Sequence, residues 1–220
     1  MRLDYIINLA CAPKAALASP GLLPLLRAND PRVGPYAEHC RACPASRNGE
    51  PFSCWGAIGA PVLESTEDWL DEQLDTDADS IGIAVLKSVV KGHSGAPVHA
   101  LRAQGAFERR EPNEIEWSDD DDDIVLTLTL DQILHAMLFS GPQPPSAMLV
   151  YLLAFGIIPG DAPPELLQAA LDDPRARRKL VELAPNPRPP PSPQTMAFLL
   201  LFGAMLRSLW LDLPLMIEVS

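Results

Sequence analysis

The chain has 220 residues, enough for one large domain or two small ones with a buried core. Its formal net charge of -12 argues against a nucleic-acid backbone as the main partner, because binding phosphates requires clustered lysines and arginines. The 24 prolines are about twice the usual ~5% share, which predicts many loops and helix starts and few central strands.

The first residues predict a strand followed by helix. Residues 2–9 place apolar side chains at every second position, a period that is typical of a half-buried strand. Residues 14–28 then favour helix, and Pro20, Gly21 and Pro24 are expected to break it into two pieces.

Residues 29–62 are rich in proline and glycine and carry little periodicity. An irregular segment of this length inside a compact domain is uncommon, so something must order it. Three of the four cysteines of the chain, Cys40, Cys43 and Cys54, lie within it. The sequence therefore predicts an irregular, cysteine-rich N-terminal loop that is held by its cysteines.

The cysteine spacing predicts a metal site. Cys40 and Cys43 form a C-x2-C pair, and Cys54 follows in the same loop. Cys11, at the end of the first strand, is the preferred fourth ligand. His39 is the alternative, but the adjacent side chains of His39 and Cys40 would diverge. Structural zinc sites use four cysteines, or three cysteines and a histidine, so we expect zinc, with an iron–sulfur cluster as the less favoured cofactor.

Other chemistries remain open for the same cysteines, namely disulfides, unrelated free thiols and a redox dithiol. A thioredoxin-like dithiol requires the C-x2-C motif to follow a strand and open a helix, and residues 31–39 do not predict a strand. The N-terminal apolar run is too short and too polar for a secretory signal, so we expect a cytoplasmic location, where thiols stay reduced. Reduced thiols favour a metal over disulfides.

The middle of the chain is predicted to hold helices, short strands and two acid-rich stretches. One helix is capped by Ser65 or Thr66 and another runs from about Asp79 to Gly92. Residues 106–128 predict short antiparallel strands, and Thr129 starts a further helix with a capping box. The remaining features of this part are the acid-rich stretches at 64–79 and 108–123, which indicate either a solvated face or a docking surface for a basic partner.

The C-terminal part is predicted to be mostly helical. We expect a proline-rich connector at 185–193 and an edge strand at 215–219, and the expected helices cover 145–155, 163–172, 174–183 and 194–211. The apolar runs in these helices are shorter than the ~20 residues that a membrane span needs. They are therefore expected to be core helices rather than membrane segments, or to offer an apolar surface to a partner.

Together these patterns predict a single α+β domain over residues 1–220, with a small antiparallel sheet packed on a mostly helical C-terminal half. The N-terminal strand and residues 106–128 are expected to form that sheet. No P-loop, dinucleotide fingerprint or nucleophile elbow is present in the sequence, so an enzyme is disfavoured. The favoured function is a non-catalytic interaction or regulatory protein with a structural zinc site. The alternatives are a subunit of a larger assembly that uses its apolar C-terminal helices and a redox or iron–sulfur protein.

Overall fold

A computed structural model describes residues 2–59, 114–115, 128–129, 142–154, 157–159, 162–184 and 196–219 of the chain. The described residues combine a three-stranded antiparallel sheet with several helices, which confirms the α+β class. The strands are β1 (Arg2–Ile7), β2 (Trp55–Gly59), β3 (Glu114–Ile115), β4 (Leu128–Thr129) and β5 (Leu215–Val219). The helices are α1 (Ala12–Leu17), α2 (Ser19–Arg27), a 3-10 helix (Pro31–Tyr36), α3 (Ala37–Arg41), α4 (Pro145–Ala154), α5 (Pro164–Ala170), α6 (Pro174–Leu183) and α7 (Met196–Leu211).

The three-stranded sheet has the order β2-β1-β5, and β1 pairs antiparallel with both neighbours. The strands predicted at the two ends of the chain are confirmed. The second neighbour of β1 is β2. Residues 29–62 were predicted to be irregular, and this prediction is wrong at Trp55–Gly59. The 3-10 helix and α3 also lie within residues 29–62. Two of the five residues of β2 are glycine, so its sequence shows too little alternation of apolar and polar residues to predict a strand. Pairing with β1 stabilises this strand instead.

The expectation that residues 106–128 pair with the N-terminal strand is not met in the described residues. Glu114–Ile115 and Leu128–Thr129 instead pair antiparallel with each other as a two-stranded sheet. Strand pairing depends on which segments packing brings together, and local pattern does not report that. The other predicted elements of the middle of the chain, the acid-rich stretches and the connector at 185–193 lie outside the described residues.

The central strand is covered on both faces, where the sequence predicted a half-buried strand. Tyr5 and Ile7 belong to the main core, whereas Ile6 packs with Leu22 and Leu23 of α2 in a smaller cluster. On the α2 side, Arg27 donates a hydrogen bond to the fully buried carboxylate of Asp4. A side chain that looks solvent-facing in the pattern is therefore buried, because α2 returns across that face and supplies a charged partner.

The N-terminal helical stretch is divided in two, as predicted, but the break lies at Ala18. This residue has φ of 56° and separates α1 from α2. Pro20 stands in the first turn of α2, where a missing N–H removes no intrahelical hydrogen bond. It therefore starts the second helix instead of interrupting it.

The main core is built around α7, which packs against α4, α6 and the sheet. Phe198, Leu201, Phe202, Met205 and Leu209 recur at helical spacing and are almost fully buried. The four C-terminal helices are found within one or two residues of the predicted ranges. Among the described residues, no helix combines the length and the apolar character needed to cross a bilayer.

Candidate metal centre

The antiparallel pairing of β1 and β2 brings the first and last cysteines to the same end of the sheet. Cys11 follows β1 as the N-cap residue of α1, and its side chain makes no capping hydrogen bond. Cys54 directly precedes β2, and its carbonyl accepts a hydrogen bond from the Ile7 N–H at 3.0 Å. The end of one strand and the start of its partner are neighbours, so this juxtaposition follows from the register of the sheet.

The C-x2-C pair lies at the end of α3. Cys40 is buried in the last turn of this helix, and the Cys43 N–H donates to the Cys40 carbonyl at 3.2 Å in the turn that follows. His39 is exposed, with its ring 6.3 Å from that of Tyr36. The two neighbouring side chains thus diverge, which is the reason for preferring Cys11 to His39 as the fourth ligand.

The four thiols lie within electrostatic range of one another. Burial raises the pKa of Cys54 to about 12; the Lys14 ammonium acts against this rise, and the thiols of Cys43, Cys40 and Cys11 add to it. Burial also raises the pKa of Cys40, with further increases from Cys43 and Cys11. The structure therefore gathers Cys11, Cys40, Cys43 and Cys54, hereafter the cysteine set, in one neighbourhood.

Lys14 is a component of this neighbourhood that the sequence analysis missed. Its side chain is buried, and its Nζ donates hydrogen bonds of 2.6 Å to the carbonyls of Ile7 and Leu9. Burial lowers the pKa of Lys14, and the thiols of Cys11, Cys54 and Cys43 oppose that change. One signal could have found it, because Lys14 stands three residues after Cys11 at the start of a helix, a spacing that puts two side chains on one face.

Residues 42–54, here called the cysteine loop, have a strained backbone near Cys40. Asn48, Gly49 and Phe52 all have positive φ, of 53°, 73° and 56°. For a bulky side chain such as that of Phe52 this conformation costs roughly 1–2 kcal/mol. The Phe52 backbone acts to lower the pKa of Cys40, against the larger rise that burial causes. The strained residue therefore favours the thiolate form of Cys40.

The cysteine loop is attached to the C-terminal half through α7. Arg207 of this helix donates a hydrogen bond to the carbonyl of Ser46, and Ala45 is fully buried in the main core. Cys43 and Cys54 also pack against that core. The cysteine set is therefore held between the N-terminal helices, the sheet and α7.

All four cysteines are free thiols. Within the described residues, which include the whole cysteine set, no group of three or more Cys, His, Asp or Glu side chains is arranged to hold a metal ion as it stands. The residue types present still match the chemistry of such a centre, because four soft sulfur donors lie near the buried Lys14 side chain.

A thioredoxin-like use of the C-x2-C pair does not fit the structure. That chemistry relies on a helix N-terminus to lower the pKa of the first thiol. Here Cys40 occupies the last turn of α3, where the partial negative charge of the helix end disfavours a thiolate, and its pKa is raised by burial.

The chain matches no protein-family model, no curated protein and no solved structure.

Proposed function

We propose that this chain is a non-catalytic interaction or regulatory protein in which Cys11, Cys40, Cys43 and Cys54 bind one structural zinc ion. The observation that carries the proposal is the convergence of three segments. Cys11 and Cys54 lie at one end of the β1–β2 pair, and Cys43 at the end of α3 packs with Cys54 against the main core. Short helices and turns connect these segments. A metal bond between them would offset the conformational entropy of ordering them, which is the role of a structural zinc site.

Zinc binding requires the cysteine side chains to turn inward. Four sulfurs at about 2.3 Å from one ion lie about 3.8 Å from each other in a tetrahedron. Rotation about χ1 moves a cysteine sulfur without moving its backbone, so the proposed closure would begin with rotation of these side chains. The site would then form fully only with the metal, as is common for cysteine-bound zinc.

The proposal places the protein in the cytoplasm, where the thiols stay reduced, and assigns it a protein partner. The partner would be recognised through the acid-rich stretches of the sequence or through an apolar surface. Support for an apolar surface comes from the exposed side chains Leu183, Met196, Leu200 and Trp210 on α6 and α7.

The deciding experiment is elemental analysis of protein purified without oxygen, with visible absorption and thiol counts on the same sample. We expect one zinc per chain, no colour and thiols protected from alkylation. Four reactive thiols and no metal would refute the proposal. Absence of both metal and free thiols would indicate disulfides and would also overturn the cytoplasmic location.

A redox or iron–sulfur protein is the second candidate. Support for it comes from the four free thiols, which lie in neighbouring segments. A [4Fe–4S] cluster also takes four cysteines, and its larger core needs sulfurs that are farther apart. A brown protein that contains iron and sulfide would select this candidate over zinc.

A subunit of a larger assembly is the third candidate, and α7 provides the observation that favours it. Trp210 is 42% exposed although it belongs to the main core helix, and the guanidinium of Arg178 lies 5.3 Å from its ring centre. Aromatic and arginine side chains are enriched at interfaces. Sedimentation over a range of concentrations tests this candidate, and a monomer at every concentration would count against self-assembly.

A further inference from the structure

The outward side of α7 carries an apolar stripe made of Met196, Leu200 and Trp210. These side chains are 46%, 40% and 42% exposed, and their spacing places them on one side of the helix, with Gly203 between them. A Cβ atom at Gly203 would meet no other side chain or distant backbone atom within 4 Å, so this glycine leaves a gap in the stripe. Leu183 of the adjacent α6 is exposed as well, which makes the group a patch rather than single scattered residues.

Trp210 is held in place at the surface by α6. The guanidinium of Arg178 lies 5.3 Å from the centre of the Trp210 ring, and Arg178 Nε donates a hydrogen bond of 2.8 Å to the Trp210 carbonyl. A side chain that is already held loses little conformational entropy when a partner covers it. Tryptophan and arginine also dominate the binding energy of many interfaces. Trp210 is therefore suited to anchor a partner.

A cluster of positive charge borders the apolar stripe. Arg175, Arg178 and Lys179 are all exposed on α6, in a chain whose formal net charge is -12. Glu182 is the one acidic residue within this helix. The ion pairs found among the described residues do not include these three basic side chains. Their charges are therefore available to an acidic ligand.

We propose that the exposed sides of α6 and α7, hereafter the α6–α7 face, bind an acidic amphipathic helix of a partner protein. The apolar residues of that helix would cover Leu200 and Trp210, and one of them would fill the gap at Gly203. Its carboxylates would meet the basic side chains of α6. The inference rests on the part of the proposed function that assigns a protein partner to this chain, and it does not depend on the metal.

The distribution of charge favours an acidic helix over two other occupants of the α6–α7 face. A second copy of the chain, packed through the same face, would bring its own basic cluster close to this one, and like charges across an interface are unfavourable. An anionic bilayer would face the whole protein, whose net charge of -12 opposes binding. A flat bilayer would also leave the gap at Gly203 empty, whereas a side chain of a helix can fill it.

The test selects ligands for the immobilised full-length chain from phage-displayed helical peptides with fully randomised surface positions. We expect the selected peptides to be acidic and to carry apolar residues at i, i+3 or i+4, and i+7. The most enriched peptide is then synthesised, and its affinity is measured by fluorescence anisotropy. Trp210→Ala is expected to weaken its binding about 30-fold or more, which is typical for loss of an interface anchor.

Matched variants separate the charge of the α6–α7 face from the charge of the whole chain. Arg175→Gln combined with Lys179→Gln removes two charges from the face, and we expect about 5-fold weaker binding with less dependence on salt. Arg32→Gln combined with Arg41→Gln removes the same charge from exposed positions elsewhere and is expected to match wild type. Gly203→Gln fills the gap without a clash in the folded chain, so we expect it to fold and to bind the peptide more weakly.

The outcomes decide the proposal in either direction. Acidic peptides that bind Trp210→Ala and Gly203→Gln more weakly would support it. No enriched peptides, neutral or basic ones, or equal binding by Trp210→Ala would overturn it. Dimers of the wild-type chain, or its binding to vesicles that contain phosphatidylserine, would assign the face to a second copy or to a membrane if Trp210→Ala abolished them.

The metal content of the same samples keeps this inference distinct from the proposed structural zinc site. Bound zinc without acidic peptide ligands would overturn the inference and leave the zinc site in place. Acidic peptide ligands that depend on Trp210, bound by a chain without zinc, would support the inference and refute the zinc site.

Discussion

Gly56→Ala is expected to destabilise the protein although it adds a single methyl group. Gly56 lies opposite Tyr5 in the β1–β2 pair, and the Tyr5 ring passes over it. A Cβ atom at Gly56 would overlap the hydroxyl oxygen and two ring carbons of Tyr5. Glycine within a strand commonly marks such a close approach.

The size of the effect follows from the burial of Tyr5. This side chain is 3% exposed and belongs to the main core, so its ring has little free space into which to move. Either β2 shifts away from β1 or the ring leaves its preferred rotamer, and overpacking of this kind costs about 1–3 kcal/mol. For a chain of this length the melting temperature would fall by about 2–4 °C for each kcal/mol lost.

Gly203→Ala is the matched control. Gly203 lies inside α7, and a Cβ atom there would meet no other side chain or distant backbone atom within 4 Å. The same chemical change should therefore stabilise the protein, by about 0.5–1 kcal/mol, because alanine favours a helix interior more than glycine does. Urea unfolding of both variants measures the two free energies. Shifts of the same sign, or an unchanged Gly56→Ala, would refute the reasoning.

The same pair of variants links the sheet to the candidate site. Gly56 is two residues from Cys54, so a displaced β2 carries this cysteine away from the rest of the cysteine set. Gly56→Ala should thus also weaken Co²⁺ binding, whereas Gly203→Ala should not. In a Tyr5→Val background, Gly56→Ala should lower the free energy of unfolding by less than it does in the wild-type background, because the overlapping ring is absent.

Cys43→Ser should lose bound metal and make the cysteine loop more sensitive to limited proteolysis, while the C-terminal helices remain folded. Ala42→Ser is the control, and an equal cleavage pattern in the two variants would contradict the proposed structural zinc site. Leu201→Ala should lower the free energy of unfolding by about 2–5 kcal/mol, because the Leu201 side chain is fully buried. Urea unfolding measures this change, and a decrease well below that range would mean that the main core is packed differently. Hydrogen bonds from Arg32 lower the pKa of Asp30 from 3.8 to about 2, so their stabilising contribution is present above about pH 4 and is lost as the pH falls towards 2. Arg32→Gln should flatten the dependence of stability on pH in that window, and an unchanged slope would show that the pair contributes nothing.

Much of the fold could be predicted because it depends on local pattern. Proline at the first turn and apolar residues at helical spacing mark α6 and α7 in the sequence, and both are found close to the predicted bounds. Alternation marks β1 in the same way. The strand β2 gave no such signal, because its glycines suit pairing with Tyr5 and carry no pattern of their own.

The candidate site likewise combines residues that local sequence pattern predicts with one that depends on tertiary contacts. Residue type and spacing single out the four cysteines, since C-x2-C followed by a third cysteine is ligand spacing at any point of a chain. The place of Lys14 in the site could not be predicted with the same certainty. Its burial depends on the segment that leaves β1 folding back over α1 and offering two carbonyls.

The sequence by itself determined the class of the fold, the C-terminal helices and the two terminal strands, and it singled out the four cysteines as candidate ligands. The tertiary structure alone decided that β2 completes the sheet, that Asp4 is buried beside Arg27, and that Lys14 is buried against the carbonyls of Ile7 and Leu9. The physical reason is the range of the interactions. Helix capping and periodicity act over a few residues, whereas strand pairing and charge burial depend on segments that meet after the chain has folded.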